Sequence, residues 1–329
     1  MSKNVPKIFY HSFAPAEVYQ LVSEQANGDF EIVFLDADDD AERMEKLADC
    51  DGVIVGAKKL TSEHIAAAPK LQLVQHQGVG WHDTTDWRAM KERGIRLAIT
   101  LAGSTVSVSE HTILLILAAA KHLPYADAQL RQGRWMVNDL RMSSRQLSEM
   151  TVGILGMGRI GSLVAQRLSP FGCNILYTDP YVTKDADFTS ACGVEKVEFE
   201  TLIANSDVLT LHLPLMKSTK NIISAEVLAQ MKPGSIFINA ARGGLVDEIA
   251  LDKALSDGHL MSAGLDVLET EPALAENPLL KNPKCVLSPH IAAGTKDGMR
   301  QKMGGVMDNL RSFFAENTLE NEIDLHAHE

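Results

Sequence analysis

Short apolar runs alternate with amphipathic stretches from the start of the chain. Residues 7–10, 31–35, 52–55, 71–75 and 95–99 predict strands, and the stretches 14–24, 41–48, 62–68 and 84–93 predict helices between them. Strict alternation of this kind builds a parallel sheet, because each helix carries the chain back to begin the next strand in the same direction. The rhythm changes at Gly103. Ser104 or Thr105 is placed to cap a helix that runs through Glu110 and the apolar segment 113–120 to about Leu123, where Pro124 ends it. Beyond a polar stretch around Trp135, a second alternation predicts six strands at 151–155, 175–178, 208–211, 235–239, 261–265 and 286–287, enough for a dinucleotide-binding sheet. A last helix over 295–315 follows that sheet and is free to return to the first unit. The pattern predicts an α/β protein of two Rossmann-like domains with doubly wound parallel sheets. One, flavodoxin-like, comprises 1–102 and 293–329; the other, 103–292, is inserted into it.

A length of 329 residues agrees with two domains at ~150 residues each. With 45% apolar and 22% charged residues the composition is that of a globular protein, not a disordered one. Lys and Arg number 31 against 43 Asp and Glu, a net charge of −12 that repels a phosphate backbone, and no basic patch offsets it; a nucleic-acid partner is not expected. The longest apolar run, 113–120, is eight residues and is closed by Lys121, far short of the ~20 needed for a membrane span. Residues 1–13 carry Lys3 and Lys7 but neither the apolar core nor the cleavage pattern of a secretory signal, so a cytoplasmic location is expected. Cys50, Cys173, Cys192 and Cys285 stand far apart with no C-x-x-C pair, which predicts reduced core residues and no metal site.

The first candidate chemistry lies at Gly156-Met157-Gly158-Arg159-Ile160-Gly161, where a G-x-G-x-x-G spacing follows an apolar strand and opens a helix. The first glycine permits a tight turn, the second a close backbone approach to a pyrophosphate, and the third close helix packing; free amides at the helix start bind the anion. The next predicted strand ends in an acid, Asp179, at the spacing such a site requires. Asp179 would accept from the adenosine ribose hydroxyls and repel a 2′-phosphate, favouring NAD over NADP; the alternative is a turn aspartate before Pro180.

Further motifs follow in order: Gln77-Gly78-Val79-Gly80, Asn239-Ala240-Ala241-Arg242-Gly243, Gly264-Leu265-Asp266-Val267, Glu269-Thr270-Glu271-Pro272 and Ser288-Pro289-His290-Ile291-Ala292. Together with the glycine fingerprint they cover most of the chain, which resembles the D-isomer-specific 2-hydroxyacid dehydrogenases, the family of glyoxylate/hydroxypyruvate reductases and of D-lactate and phosphoglycerate dehydrogenases. The resemblance implies hydride transfer between NAD and C2 of a small 2-hydroxy or 2-keto acid in a cleft between the domains. It implies Arg242 for the substrate carboxylate and carbonyl, since a guanidinium fork can hold both where lysine cannot. His290 becomes the general acid and base, and Glu271 the carboxylate that orients it and stabilises its charged form. Taken alone, Arg242 reads as a salt-bridging surface residue, Glu271 as a turn acid and His290 as a core histidine; their common order and strand-end positions favour the catalytic assignment.

By the same resemblance the amides of Val79 and Gly80 bind the substrate carboxylate. The cofactor contacts are Thr112, Gly156, Gly158, Arg159, Ile160, Gly161, Asp179, His212, Pro214, Ala240, Arg242, Asp266 and His290, each with a packing alternative. The loop from Trp81 to Asp83 departs from the family by one extra residue, so Trp81 and His82 either shape the substrate pocket or pack the loop. Lys58 and Lys59 read as a solvated pair. The connector helix and the Trp135 segment offer surface for a homodimer. Two rivals share the fold: an NAD-binding redox sensor that recruits a partner without turnover, and a formate or phosphite dehydrogenase.

Overall fold

The computed structural model describes residues 5–56, 58–182 and 193–327, so the expectation for Cys192 lies outside the described residues. The chain divides into two compact units, one running up to Ser104 and resuming at Lys296, the other spanning Thr105–Thr295.

In the first unit, strands β1 (Lys7–Tyr10), β2 (Glu31–Val33), β3 (Gly52–Val55), β4 (Leu73–His76) and β5 (Arg96–Ile99) pair in parallel in the order 5-4-3-1-2. This is the flavodoxin-like order. β3 and β4 are buried along their whole length because helices cover both faces of the sheet. Ala16–Ala26 and Lys296–Glu316 seal one face over Ile8, Tyr10, Ile54 and Leu73; Asp40–Leu47, Ser62–Ala66 and Trp87–Glu92 seal the other over Phe9, Val53, Val55 and Val74. The single helix expected over 84–93 is in fact two, Trp81–Thr84 and Trp87–Glu92. Leu60 separates them by bonding the chain on either side of Thr85, and Asp86 caps the second by accepting from the Ala89 amide at 3.2 Å.

In the second unit β6 (Thr151–Leu155), β7 (Asn174–Thr178), β8 (Val194–Lys196), β9 (Val208–Leu211), β10 (Ser235–Asn239), β11 (Leu260–Leu265) and β12 (Cys285–Leu287) form a parallel sheet in the order 12-11-10-9-6-7-8. The sheet has seven strands where six were expected. β8 escapes a reading by pattern because it is three residues long, Val-Glu-Lys, with no apolar run. Thr105–Ala120 lies on this sheet: the Ser262 hydroxyl donates to the Ala119 carbonyl at 3.2 Å, and a side chain at Gly264 would press on Leu115. The apolar run 113–120 thus serves mainly its own unit, with Leu115, Ile116 and Ala118 to Ala120 buried.

Pro124 does not end that helix. The break falls at His122, whose φ of +51° is left-handed, and Pro124 sits in the first turn of a new helix, Leu123–Arg131, set at 60° to the first. This helix and the next, Val137–Arg141, bury no residue, and Trp135 between them is 77% exposed. Among the described residues no single helix is long and apolar enough to cross a membrane. Cys50 is buried, Cys173 and Cys285 half-buried, and none of the three is bonded to another.

Candidate active site

Most candidate residues lie in the loops that leave the carboxyl ends of the strands of the second sheet, the edge where open α/β sheets bind ligands. Gly156 to Gly161 follow β6, Asp179 follows β7, His212 and Pro214 follow β9, Ala240 and Arg242 follow β10, Asp266 and Glu271 follow β11, and His290 follows β12.

The glycine loop has the shape its spacing implies. Gly156 is left-handed at φ +97°, and a side chain on Gly161 would run into the Gly156 carbonyl. Gly158 differs: a Cβ there would meet no atom within 4 Å, so nothing in the chain itself demands glycine. The open space at Gly158, at the start of the Arg159–Leu168 helix, leaves room for a dinucleotide pyrophosphate to approach the backbone. Arg159 is exposed and Ile160 half-buried beside it. Asp179 is buried; one carboxylate oxygen accepts from the Met157 amide at 2.8 Å, the other from the amides of Tyr181 at 2.7 Å and Val182 at 3.1 Å. It therefore closes its own turn and holds the glycine loop, with lone-pair capacity remaining for a further donor.

The buried Asn239 side chain shapes the next loop. Its amide group donates to the Arg242 carbonyl at 2.8 Å and its oxygen accepts from the Ala241 amide at 3.0 Å, turning the chain so that Arg242 leaves the sheet edge half-buried. A side chain at Gly243 would collide with the backbone of Leu268 and Glu269, so glycine lets the Arg242 loop press on the loop that carries Glu271. Glu248, buried at the start of the Glu248–Ser256 helix, accepts from the Glu269 amide and from Asn277, anchoring that second loop.

His290 Nδ1 lies 2.6 Å from Glu271 Oε2. A carboxylate oxygen accepts, so Nδ1 carries the proton and Nε2 is left with no partner among the described residues. Partial burial works to raise the Glu271 carboxyl. The bond and charge of His290, the Leu268 amide and the Arg242 charge outweigh it and hold the group below the ordinary carboxylate range. The three residues named from the sequence are therefore in one electrostatic neighbourhood. His290 is held in the left-handed region at φ +51°, a costly conformation for histidine, by its amide bond to the Asp266 carbonyl at 2.7 Å.

The remaining candidates are placed less directly. Asp266 is buried and already accepts from Ser288 Oγ at 2.6 Å, the Ile291 amide at 2.9 Å and the Ala292 amide at 2.8 Å. Thr112 is buried and donates back to the Val108 carbonyl at 2.8 Å. His212 meets the Thr210 hydroxyl at 3.1 Å; burial pushes it down to about 3, so it is neutral at pH 7. Pro214 is exposed and Ala240 buried. In the first unit Val79 is exposed after β4, and the amides of Val79 and Gly80 have no acceptor among the described residues. Trp81 is buried in the core of that unit and stacks on exposed His82, which favours packing over pocket for the extra loop residue. Lys58 is 3.3 Å from Asp40 and Lys59 is exposed. Among the described residues no group of three or more His, Cys, Asp or Glu side chains is arranged to hold a metal. Sequence reasoning missed Glu248 and His111, whose partners lie far along the chain.

A doubly wound sheet with a glycine loop at a helix start and a His–Glu pair beside Arg242 at its carboxyl edge can hold a dinucleotide and move a proton. A family model described as D-isomer specific 2-hydroxyacid dehydrogenase, NAD binding domain, matches residues 113–292, more than half of the chain, and the chain belongs to this family. It is 37% identical over 282 residues to a D-3-phosphoglycerate dehydrogenase of Mycobacterium bovis, covering 85% of this chain and 52% of that protein. It is likewise 37% identical over 273 residues to a glyoxylate reductase of Korarchaeum cryptofilum, covering 82% of this chain and 81% of that one. The chain spans about half the length of the curated phosphoglycerate dehydrogenases it matches. Among solved structures, an NAD-dependent formate dehydrogenase from Staphylococcus aureus in complex with NAD superposes with a TM-score of 0.84 at 29% identity, covering 97% of this chain and 98% of that one.

Proposed function

We propose that this protein is an NAD-dependent oxidoreductase that interconverts a small 2-keto acid and the corresponding D-2-hydroxy acid. The observation that carries the reading is the 2.6 Å bond between His290 and Glu271 on a loop pressed against the Arg242 turn. Bound NADH supplies the hydride to C2. Arg242 binds the substrate carboxylate and polarises the carbonyl, with the Val79 and Gly80 amides as further donors to the carboxylate. His290 gives its Nε2 proton to the carbonyl oxygen as that oxygen gains charge, so one hydride and one proton turn C=O into CH–OH. Glu271 keeps Nδ1–H in place and balances the charge of the imidazolium. The Gly156–Gly161 loop, with Arg159 and Ile160, takes the cofactor pyrophosphate. Thr112, His212, Pro214, Ala240 and Asp266 serve as flanking contacts. The Asp179 charge favours NAD over NADP by repelling a 2′-phosphate. On this reading residues 103–292 bind NAD, and 1–102 with 293–329 bind the substrate.

The formate dehydrogenase likeness favours a second reading, hydride removal from formate. That reaction releases CO₂ and transfers no proton to oxygen, so it gives the His290–Glu271 pair no work. NADH oxidation with glyoxylate, hydroxypyruvate, pyruvate and phenylpyruvate tests the first reading, and NAD reduction with formate or phosphite the second. NADH binding with no turnover on any of them overturns both in favour of a sensor. His290→Ala is expected to keep NADH affinity and lose ~100- to 10,000-fold in kcat; undiminished turnover removes His290 from the mechanism. We further propose a cytoplasmic homodimer, joined through the arm that carries exposed Leu123, Leu130, Trp135 and Met142, in place of the connector helix. Sedimentation as a monomer at micromolar concentration overturns the dimer.

A further inference from the structure

The chain of contacts behind His290 begins on the Thr105–Ala120 helix. His111 Nε2 lies 2.8 Å from Ser288 Oγ, and Ser288 Oγ lies 2.6 Å from Asp266 Oδ1. The proton positions follow from donor counting. The Ser288 hydroxyl donates to the buried Asp266 carboxylate, whose oxygens also accept the Ile291 and Ala292 amides. The one hydroxyl proton of Ser288 is therefore spent on Asp266, and toward His111 the same oxygen must accept. His111 Nε2 then carries a proton, which fixes the order His111 N–H, Ser288 O–H, Asp266 carboxylate. Each bond polarises the next, ending on a buried carboxylate. His111 also stands 3.5 Å from Asp266 Oδ1, and no lysine or arginine lies within 4 Å of that carboxylate among the described residues.

We infer that His111 and Ser288 are positioning residues for the general acid: their relay locks the Asp266 carboxylate, which clamps both sides of His290. Asp266 takes the His290 amide on its carbonyl and the next two amides on its side chain, so the 288–292 loop cannot shift without breaking several bonds to one residue. That clamp holds His290 at φ +51°, where its ring meets Glu271. The relay rests on the dehydrogenase reading for its catalytic consequence but not for its structural one, and the test separates the two.

The test uses the full chain and the variants His111→Ala, His111→Gln and Ser288→Ala. The first readout is the downfield proton resonance of the His290 Nδ1–H bonded to Glu271, assigned by its loss in His290→Ala. It is expected to broaden or move upfield in His111→Ala and Ser288→Ala and to return in His111→Gln, whose side-chain amide can still donate to Ser288. With the most active 2-keto acid, kcat is expected to fall by up to about 100-fold in His111→Ala while KM changes by less than about threefold, since a misplaced acid harms the transition state more than binding. The His111→Ala/Ser288→Ala double variant should be no worse than either single one, because both cut one chain. An unmoved resonance in both alanine variants, or full additivity, overturns the proposal. Ser288→Ala removes only an oxygen and keeps the test available if His111→Ala fails to fold. If no keto acid is reduced, the dehydrogenase reading fails while the resonance still decides the relay.

Discussion

Asp179 and Asp266 occupy equivalent places, each following a strand of the same sheet, and each carboxylate accepts three hydrogen bonds from the protein. Their partners differ. Asp179 bonds chiefly to the turn that follows it, with one bond reaching back to the glycine loop. Asp266 bonds to residues 22 to 26 positions onward and stitches together two loops that chain continuity leaves apart. The first arrangement is mainly local and closes a turn beside the glycine loop; the second is long-range and holds the loop that carries His290. One residue type at one kind of position therefore does two jobs, separated by where the donors come from.

Removing each acid should expose that difference. Asp266→Ala is expected to have the larger effect, leaving buried donors unpaired and costing about 3–5 kcal/mol in urea unfolding. Activity should fall further than NADH affinity. A loss below about 1 kcal/mol would place the clamp elsewhere. Asp179→Ala should cost less, about 1–2 kcal/mol, because its turn lies nearer solvent. Its main effect should be on selectivity: the ratio of kcat/KM for NADPH over NADH is expected to rise by about tenfold, equal to 1.4 kcal/mol, and an unchanged ratio would confine Asp179 to its turn.

The smallest effect concerns the acid that neither aspartate holds. Glu271 titrates lower in the folded protein than in the unfolded chain, so the unfolded chain binds more protons between those two values and stability there rises with pH. Its contribution is complete above the ordinary glutamate range of about 4.3 and is lost as pH falls through the folded value. The difference in urea midpoint between the wild type and Glu271→Gln should therefore narrow on acidification. Because the pair is more than a third exposed, solvent screening keeps this difference modest. A gap that is constant with pH would show that the pairing is absent in solution.

The same distinction between local and distant partners explains what could be read from the sequence. The glycine loop, Asp179 and the alternation of strands and helices are short-range patterns, and the chain writes them in consecutive residues. Arg242, Glu271 and His290 were legible through family order, not through physics within any one segment. Nothing near His111 announces that its partner is Ser288, 177 positions away, and Glu248 resembles any helix-start acid until Glu269 and Asn277 arrive. β8 is too short to show a period. Pro124 carried two opposite meanings, helix stop or helix start, and the left-handed His122 before it settled which applied.

A two-residue strand in the first unit has a consequence for handling the protein. β13 (Glu322–Ile323) runs antiparallel to β5 and covers what would otherwise be an open sheet margin. Buried Asn309 secures it by exchanging bonds with the backbone of Glu320 while also donating to Gln75, and Arg96 grips Glu322 with two bonds. A tag, fusion or truncation that peels away this short cover would bare the amides and carbonyls of β5 as a template for other chains, and the cost would be a loss of solubility.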